Sequence, residues 1–192
     1  RFVAIETSSS PGSVAVGTLP NQVREIAFPP AGDHGRGLIP AIVQLTEEAG
    51  WPLADIDLVA VAIGPGPFTG LRVGVTTAKA IAWAADRPIA AIPTAACLAA
   101  QAIPSGQPAE PVQVVFDAGR GELYAVTAHP GGSADTADTT EILWHLEVTG
   151  LVTPETWLER TPARTLVTGP GLSLALPVIC ELPRHRPDLR IA

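Results

Sequence analysis

The chain has 192 residues, 46% of them hydrophobic and 16% charged, which excludes intrinsic disorder and suits one large domain or two small lobes. Its formal charge of −7 excludes a bare nucleic-acid binder, which needs a basic face; only the short tail "PRHRPDLR" (183–190) is basic. Aromatic residues make up 5%, so a core must come from Ala, Val, Ile and Leu, with little left for base-stacking platforms.

In chain order, "FVAIE" (2–6), the turn chemistry of "TSSSPG" (7–12) and the alternating "SVAVGT" (13–18) predict a β-hairpin. "VREIAF" (23–28) extends it as a third strand, and 29–37 reads as a loop. A helix is expected over roughly 38–49: Pro40 suits a first turn, Gly50 suits the C′ position, and Pro52 prevents continuation. Leu38, Ile42, Leu45 and Ala49 form one stripe and Ile39 and Val43 an adjacent one, so the apolar arc is wider than a single core contact requires. "LVAVAI" (58–63) is apolar on both alternations, the pattern of a strand buried on both faces. "AIGPGPFTGLRVG" (62–74) then leads into a helix over about 71–86, with Thr69 as its expected cap. "IAAI" (89–92) reads as a short buried strand and "TAACLAAQAI" (94–103) as another helix, an α/β order.

"PSGQPAEP" (104–111) is the expected linker. After it, "VQVVFD" (112–117), "AGRG" (118–121) and "ELYAVTA" (122–128) repeat the strand, acid, turn, strand pattern of residues 2–18, which points to an internal duplication. Residues 129–140 read as a polar loop, "ILWHLEV" (142–148) as a strand, and "TPETWLER" (153–160) as a short helix capped by Thr153 with Pro154 in its first turn. "TLVTGPG" (165–171) reads as a strand running into a Gly turn, and the remainder is too irregular to place.

A Walker-type phosphate cradle needs Lys and Ser or Thr after its last glycine, whereas Gly70 is followed by Leu71 and Arg72. The spacing of Gly64, Gly66 and Gly70 is not that of a dinucleotide fingerprint. The loop reads instead as a tight strand-to-helix turn. In the helix behind it, Gly74, Ala78, Ala82 and Ala85 line one side and allow close approach, either inside the chain or by a partner. Arg72, placed in the first turn against the helix dipole, wants a nearby anion. Glu6 beside Thr7 to Ser10 could hold a hydrated metal and a phosphate, or the hydroxyls could simply satisfy turn backbone. His34, His129, His145 and His185 stand far apart with no i, i+4 pair, so no metal site is expected. Cys97 and Cys180 read as buried free thiols of a reducing cytoplasm. No apolar run has the length of a membrane span and no leader is visible, so a cytoplasmic location is expected.

The duplicated hairpins resemble the actin/sugar-kinase/Hsp70-like architecture, a two-lobed, duplicated ribonuclease H-like α/β fold. Four segments, "AIETSSSPGSVAVG" (4–17), "HGRGLIPAIVQLTEEAG" (34–50), "GPGPFTGLRVGVTTAKAIA" (64–82) and "FDAGRGELYAV" (116–126), resemble in order the bacterial TsaB family. The GPGPFTGLR block is the most specific of these, and "GLVTPETW" and "LVTGPGL" extend the likeness thinly into the second lobe. The resemblance implies lobes over 1–105 and 106–192 and a non-catalytic scaffold in the making of threonylcarbamoyladenosine beside the tRNA anticodon. It implies a TsaD-like transferase, which carries the metal and the transferase site, and a TsaE-like ATPase as partners. A homodimer through the same helices and indirect contact with tRNA are further implications. It implies no tightly bound cofactor, with ATP or ADP and Mg²⁺ met only in the complex. The implied interface comprises helices 38–49 and 71–86, with Leu38, Ile42, Leu45, Arg72, Val75, Ala78 and Ala82. Nucleotide contact would fall to Glu6, Thr7, Ser9 and Asp117.

Three features depart from the family pattern. Glu6 stands where the family usually has Asp, and Gly119 where it often has Arg, with Arg120 adjacent. The closing helical segment is not evident, so the second lobe is expected to be incomplete. Two other readings are an enzyme of the same fold and a metallopeptidase-like protein. The first is a small-molecule kinase or ATP hydrolase using Glu6 and Asp117 around Mg²⁺. The lack of a paired-His set argues against the second.

Overall fold

The computed structural model describes residues 1–18, 22–28, 34–103, 110–131, 143–181 and 189–192. Two compact units divide the chain, Arg1–Thr94 and Ala95–Ala192. The boundary expected at 105/106, most of the 104–111 linker, most of the 129–140 loop and most of the basic tail lie outside the described residues.

In the first unit β1 (Phe2–Glu6) and β2 (Ser13–Thr18) form the expected hairpin, extended antiparallel by β3 (Gln22–Ala27). β4 (Leu58–Ala62) and β5 (Ile89–Ile92) add in parallel on the other side, giving the order β3-β2-β1-β4-β5. Period-two alternation sends Val3, Ile5, Val14, Val16, Val59 and Val61 into one core, closed by helices α1 (His34–Glu48) and α2 (Phe68–Ala85). Each fully buried Val or Leu there contributes roughly 1.5–3 kcal/mol. β5 is an edge strand, so Ile89 is exposed and the strand is not buried as its apolar sequence suggests.

α1 begins four residues before the expected start, so Pro40 lies inside the helix instead of its first turn and deletes one ladder donor. Its end follows the sequence reading. The Trp51 N–H donates to the Thr46 carbonyl at 3.2 Å and the Gly50 N–H to Glu47 at 3.0 Å, with Gly50 at φ 76°. This is a Schellman closure, and its left-handed residue is the reason for glycine. α2 also starts early, with Pro67 as its cap residue and no side-chain cap bond. Thr69 is therefore inside the helix, and Arg72 lies in the second turn.

The second unit contains α3 (Thr94–Ala102, starting at the division), β6 (Val112–Gly119), β7 (Glu122–Gly131), β8 (Leu143–Val152), α4 (Pro154–Arg160), β9 (Leu166–Thr168), α5 (Leu172–Glu181) and β10 (Arg190–Ile191). Its order is β10-β9-β6-β7-β8, with two antiparallel pairings on one side of β6 and two parallel pairings leading away on the other. This is the same arrangement as in the first unit, so the duplication seen in two hairpins extends to the whole sheet. β6 is buried on both faces, as its apolar run predicts: Val115 packs with Leu123 and Trp157, and Val112, Val114 and Phe116 pack with Ala95 and Ala99. Thr153 caps α4, accepting from the Thr156 N–H at 3.3 Å, and Pro154 opens it. α5 carries Pro177 in its interior, which obscured a helix in a segment that reads as irregular. Cys97 is half-buried and Cys180 exposed, so the second is not the buried thiol expected. Among the described residues no helix is long and apolar enough to cross a membrane.

Candidate functional site

The Gly/Pro loop packs directly on the tip of the β1–β2 hairpin, where Thr7 and Ser8 are buried. A Cβ on Gly66 would stand 2.0 Å from the Ser8 carbonyl oxygen, and one on Gly70 2.0 Å from the Thr7 oxygen. On Gly74 it would lie 2.2 Å from the Thr7 hydroxyl. Missing side chains at these positions let α2 rest on hairpin backbone, and Thr7 donates to the Gly70 carbonyl across the contact at 2.8 Å. Thr94 anchors the loop's start: its N–H donates to the Gly64 carbonyl at 2.8 Å, and its hydroxyl oxygen accepts from the Gly64 N–H at 3.1 Å. The loop is thus a joint between hairpin and helix.

Glu6 accepts from the Ser8 N–H at 2.6 Å, from the Ser8 hydroxyl, and from the Ser9 hydroxyl at 2.6 Å. Of the residues read as nucleotide contacts in this unit, Glu6 and Ser9 bond within the hairpin tip and Thr7 bonds the Gly70 carbonyl of α2. Both carboxylate oxygens of Glu6 are engaged by the hairpin's own groups. Asp117, in the other unit, accepts from the Gly119 N–H at 2.7 Å.

The expected interface residues divide sharply. Leu38, Ile42, Leu45, Ala78 and Ala82 belong to the core of the first unit, and Val75 packs against it half-buried. The small-residue side of α2 faces inward because the sheet and hairpin come close to it. What α1 leaves outside is its second stripe, Ile39 and Val43. The exposed residues of α2 include Phe68, Arg72, Thr76, Lys79 and Trp83, which lie within one third of the helical circumference, and beside them Thr69, Ala80 and Ala84. Phe68 is 78% exposed and Trp83 87%. Arg72 has no ion pair among the described residues, so the local salt bridge is not its explanation. The sequence reading names neither Phe68 nor Trp83; a helical projection places Trp83 roughly opposite Gly74, Ala78 and Ala82, whereas Phe68, at the helix start, lies nearer their side.

His129 and His145, distant in sequence, are register partners on β7 and β8 with ring centroids 6.5 Å apart. Among the described residues no group of three His, Cys, Asp or Glu is placed to hold a metal.

The model of the family described as TsaD, tRNA N6-adenosine threonylcarbamoyltransferase, matches residues 30–147. The chain belongs to this family. Within it the chain is similar to the tRNA threonylcarbamoyladenosine biosynthesis protein TsaB of Bacillus subtilis (strain 168), at 33% identity over 64% of this chain and 52% of that protein. It is similar to TsaB of Escherichia coli (strain K12) at 32% over 65% of this chain and 53% of the relative. A shorter match, 45% identical, joins 29% of the chain to 16% of the tRNA N6-adenosine threonylcarbamoyltransferase of Bifidobacterium longum (strain NCC 2705). The chain spans about half the length of the curated TsaB relatives it matches. YeaZ from Pseudomonas aeruginosa shares the fold, with a TM-score of 0.74 at 24% identity over all of this chain and 84% of that one. The TsaB resemblance and the duplicated actin-like fold read from the sequence are borne out.

Proposed function

We propose that the chain is an accessory subunit in the threonylcarbamoylation of tRNA adenosine. It docks on a TsaD-like transferase through the outward faces of α1 and α2, and the partner carries the transfer chemistry. One observation carries this reading: Trp83 and Phe68 stand almost bare on one helix face beside Arg72 and Lys79. Exposed aromatics and Arg are the residue types that dominate protein interfaces. The names of the relatives support the choice of partner. The inward-directed hydrogen bonds of Glu6 support a scaffold over an enzyme. A TsaE-like ATPase, ATP or ADP with Mg²⁺, and indirect contact with tRNA belong, on this reading, to the assembled complex.

The test is co-elution of the full chain with a TsaD-like subunit from the same organism. Phe68→Glu and Trp83→Glu are expected to keep the melting temperature of the parent, since surface changes fall within about 0.5 kcal/mol. Each is expected to weaken association at least about 100-fold, as loss of a central aromatic does. Undiminished co-elution of both variants overturns the assignment. Self-association that alone depends on these residues gives the face to a second copy instead.

A further inference from the structure

A cleft of about 450 Å³ opens within the second unit, in the size range of small-molecule sites, roughly 300–1,000 Å³. One cross-strand row lines it: Gln113 on β6, its register partner Thr127 on β7, and Glu147 opposite Thr127 on β8. His129, two residues beyond Thr127 on the same face, borders the row.

Gln113 is only 8% exposed. Its Oε1 accepts from the Trp157 indole N–H at 2.9 Å and lies 2.9 Å from the Thr161 hydroxyl. An indole nitrogen can only donate, so the amide's orientation is determined: oxygen toward Trp157, nitrogen toward the cleft. That nitrogen has no protein acceptor among the described residues. Facing the cleft, that donor is open to an entering acceptor. Two carboxylates border the cleft. Glu147 lies 3.4 Å from His129 Nε2, and Glu110 is held by Arg190 at 2.5 Å. An anionic ligand would meet these two carboxylates, and an ammonium offers no acceptor to the Gln113 amide.

We infer that this cleft binds a small neutral molecule bearing a carboxamide. The ligand's carbonyl oxygen accepts from Gln113 Nε2–H, and its N–H donates to Thr127 or Glu147 along the same row.

Benzamide, benzoate and benzylamine present the same ring with a neutral amide, an anion and a cation. Each is titrated into the full chain while ¹H–¹⁵N spectra follow the Gln113 side-chain amide and the Trp157 indole N–H. Benzamide is expected to shift both resonances with a roughly millimolar Kd, suited to so small a ligand, and to bind at least about 10-fold tighter than either charged analogue, the factor one hydrogen bond of about 1.4 kcal/mol supplies. Gln113→Glu keeps an oxygen for Trp157 but replaces the donor, and should abolish the benzamide shifts. Because a buried carboxylate stresses the fold, Glu147→Ala at an exposed position is the second variant, with an expected several-fold loss and an unchanged melting temperature. Absence of shifts with all three probes, benzoate binding as tightly as benzamide, or benzamide binding untouched in both variants overturns the inference.

Discussion

Replacing Gly70 by Ala sets two physical effects against each other. In a helix Ala is favoured over Gly by roughly 0.8–1.0 kcal/mol, so helix propensity alone predicts a stabler protein. The packing predicts the opposite sign. The new Cβ would lie 2.0 Å from the Thr7 carbonyl oxygen, where real contacts stay above 3.0 Å, so hairpin and helix must separate by about 1 Å. Neither side yields easily: the clashing oxygen is backbone of a buried residue whose own hydroxyl bonds the Gly70 carbonyl. Overpacking of this kind costs about 1–3 kcal/mol, and the lost hydrogen bond about 1 kcal/mol more. After the propensity gain the net destabilisation is about 1–3 kcal/mol. Thermal unfolding followed by circular dichroism should show a fall of about 2–4 °C for each kcal/mol. Ala80→Gly, on the exposed side of the same helix, measures the propensity effect by itself as a loss of about 1 kcal/mol. A Gly70→Ala variant as stable as the parent, or stabler, refutes the close-approach argument.

Two other substitutions probe the same unit. Ala78→Arg places a charge in a fully buried position of the core and should cost more than about 4 kcal/mol, abolishing the cooperative melt of the first unit, so its effect on partners carries no interface information. Glu6→Ala removes the acceptor of the Ser8 and Ser9 groups and should lower the urea midpoint by an amount equivalent to about 1–3 kcal/mol; an unchanged midpoint would mean the carboxylate does not hold the hairpin tip.

The sequence by itself determined the elements whose signal is local. Alternation at Val3, Ile5, Val14 and Val16 needs only a two-residue period, and the Gly50 closure and the Thr153 cap need only near neighbours. The repeated strand, acid and turn pattern likewise revealed the duplication. The helical period showed that α1 has two apolar stripes, but the position of the sheet decided that Leu38, Ile42 and Leu45 are inside while Ile39 and Val43 are outside. The same holds for α2: its small residues face the hairpin, and Phe68 and Trp83 are left bare. The glycines of the loop announced a turn, yet their reason is contact with Thr7 and Ser8, and Thr7 is 63 residues from Gly70. Gln113 acquired its direction from Trp157, 44 residues away. Propensity and periodicity are properties of adjacent residues and can be read along the chain. Burial, close approach and the orientation of a side-chain amide depend on pairings between distant segments, and those exist only once the tertiary structure has formed.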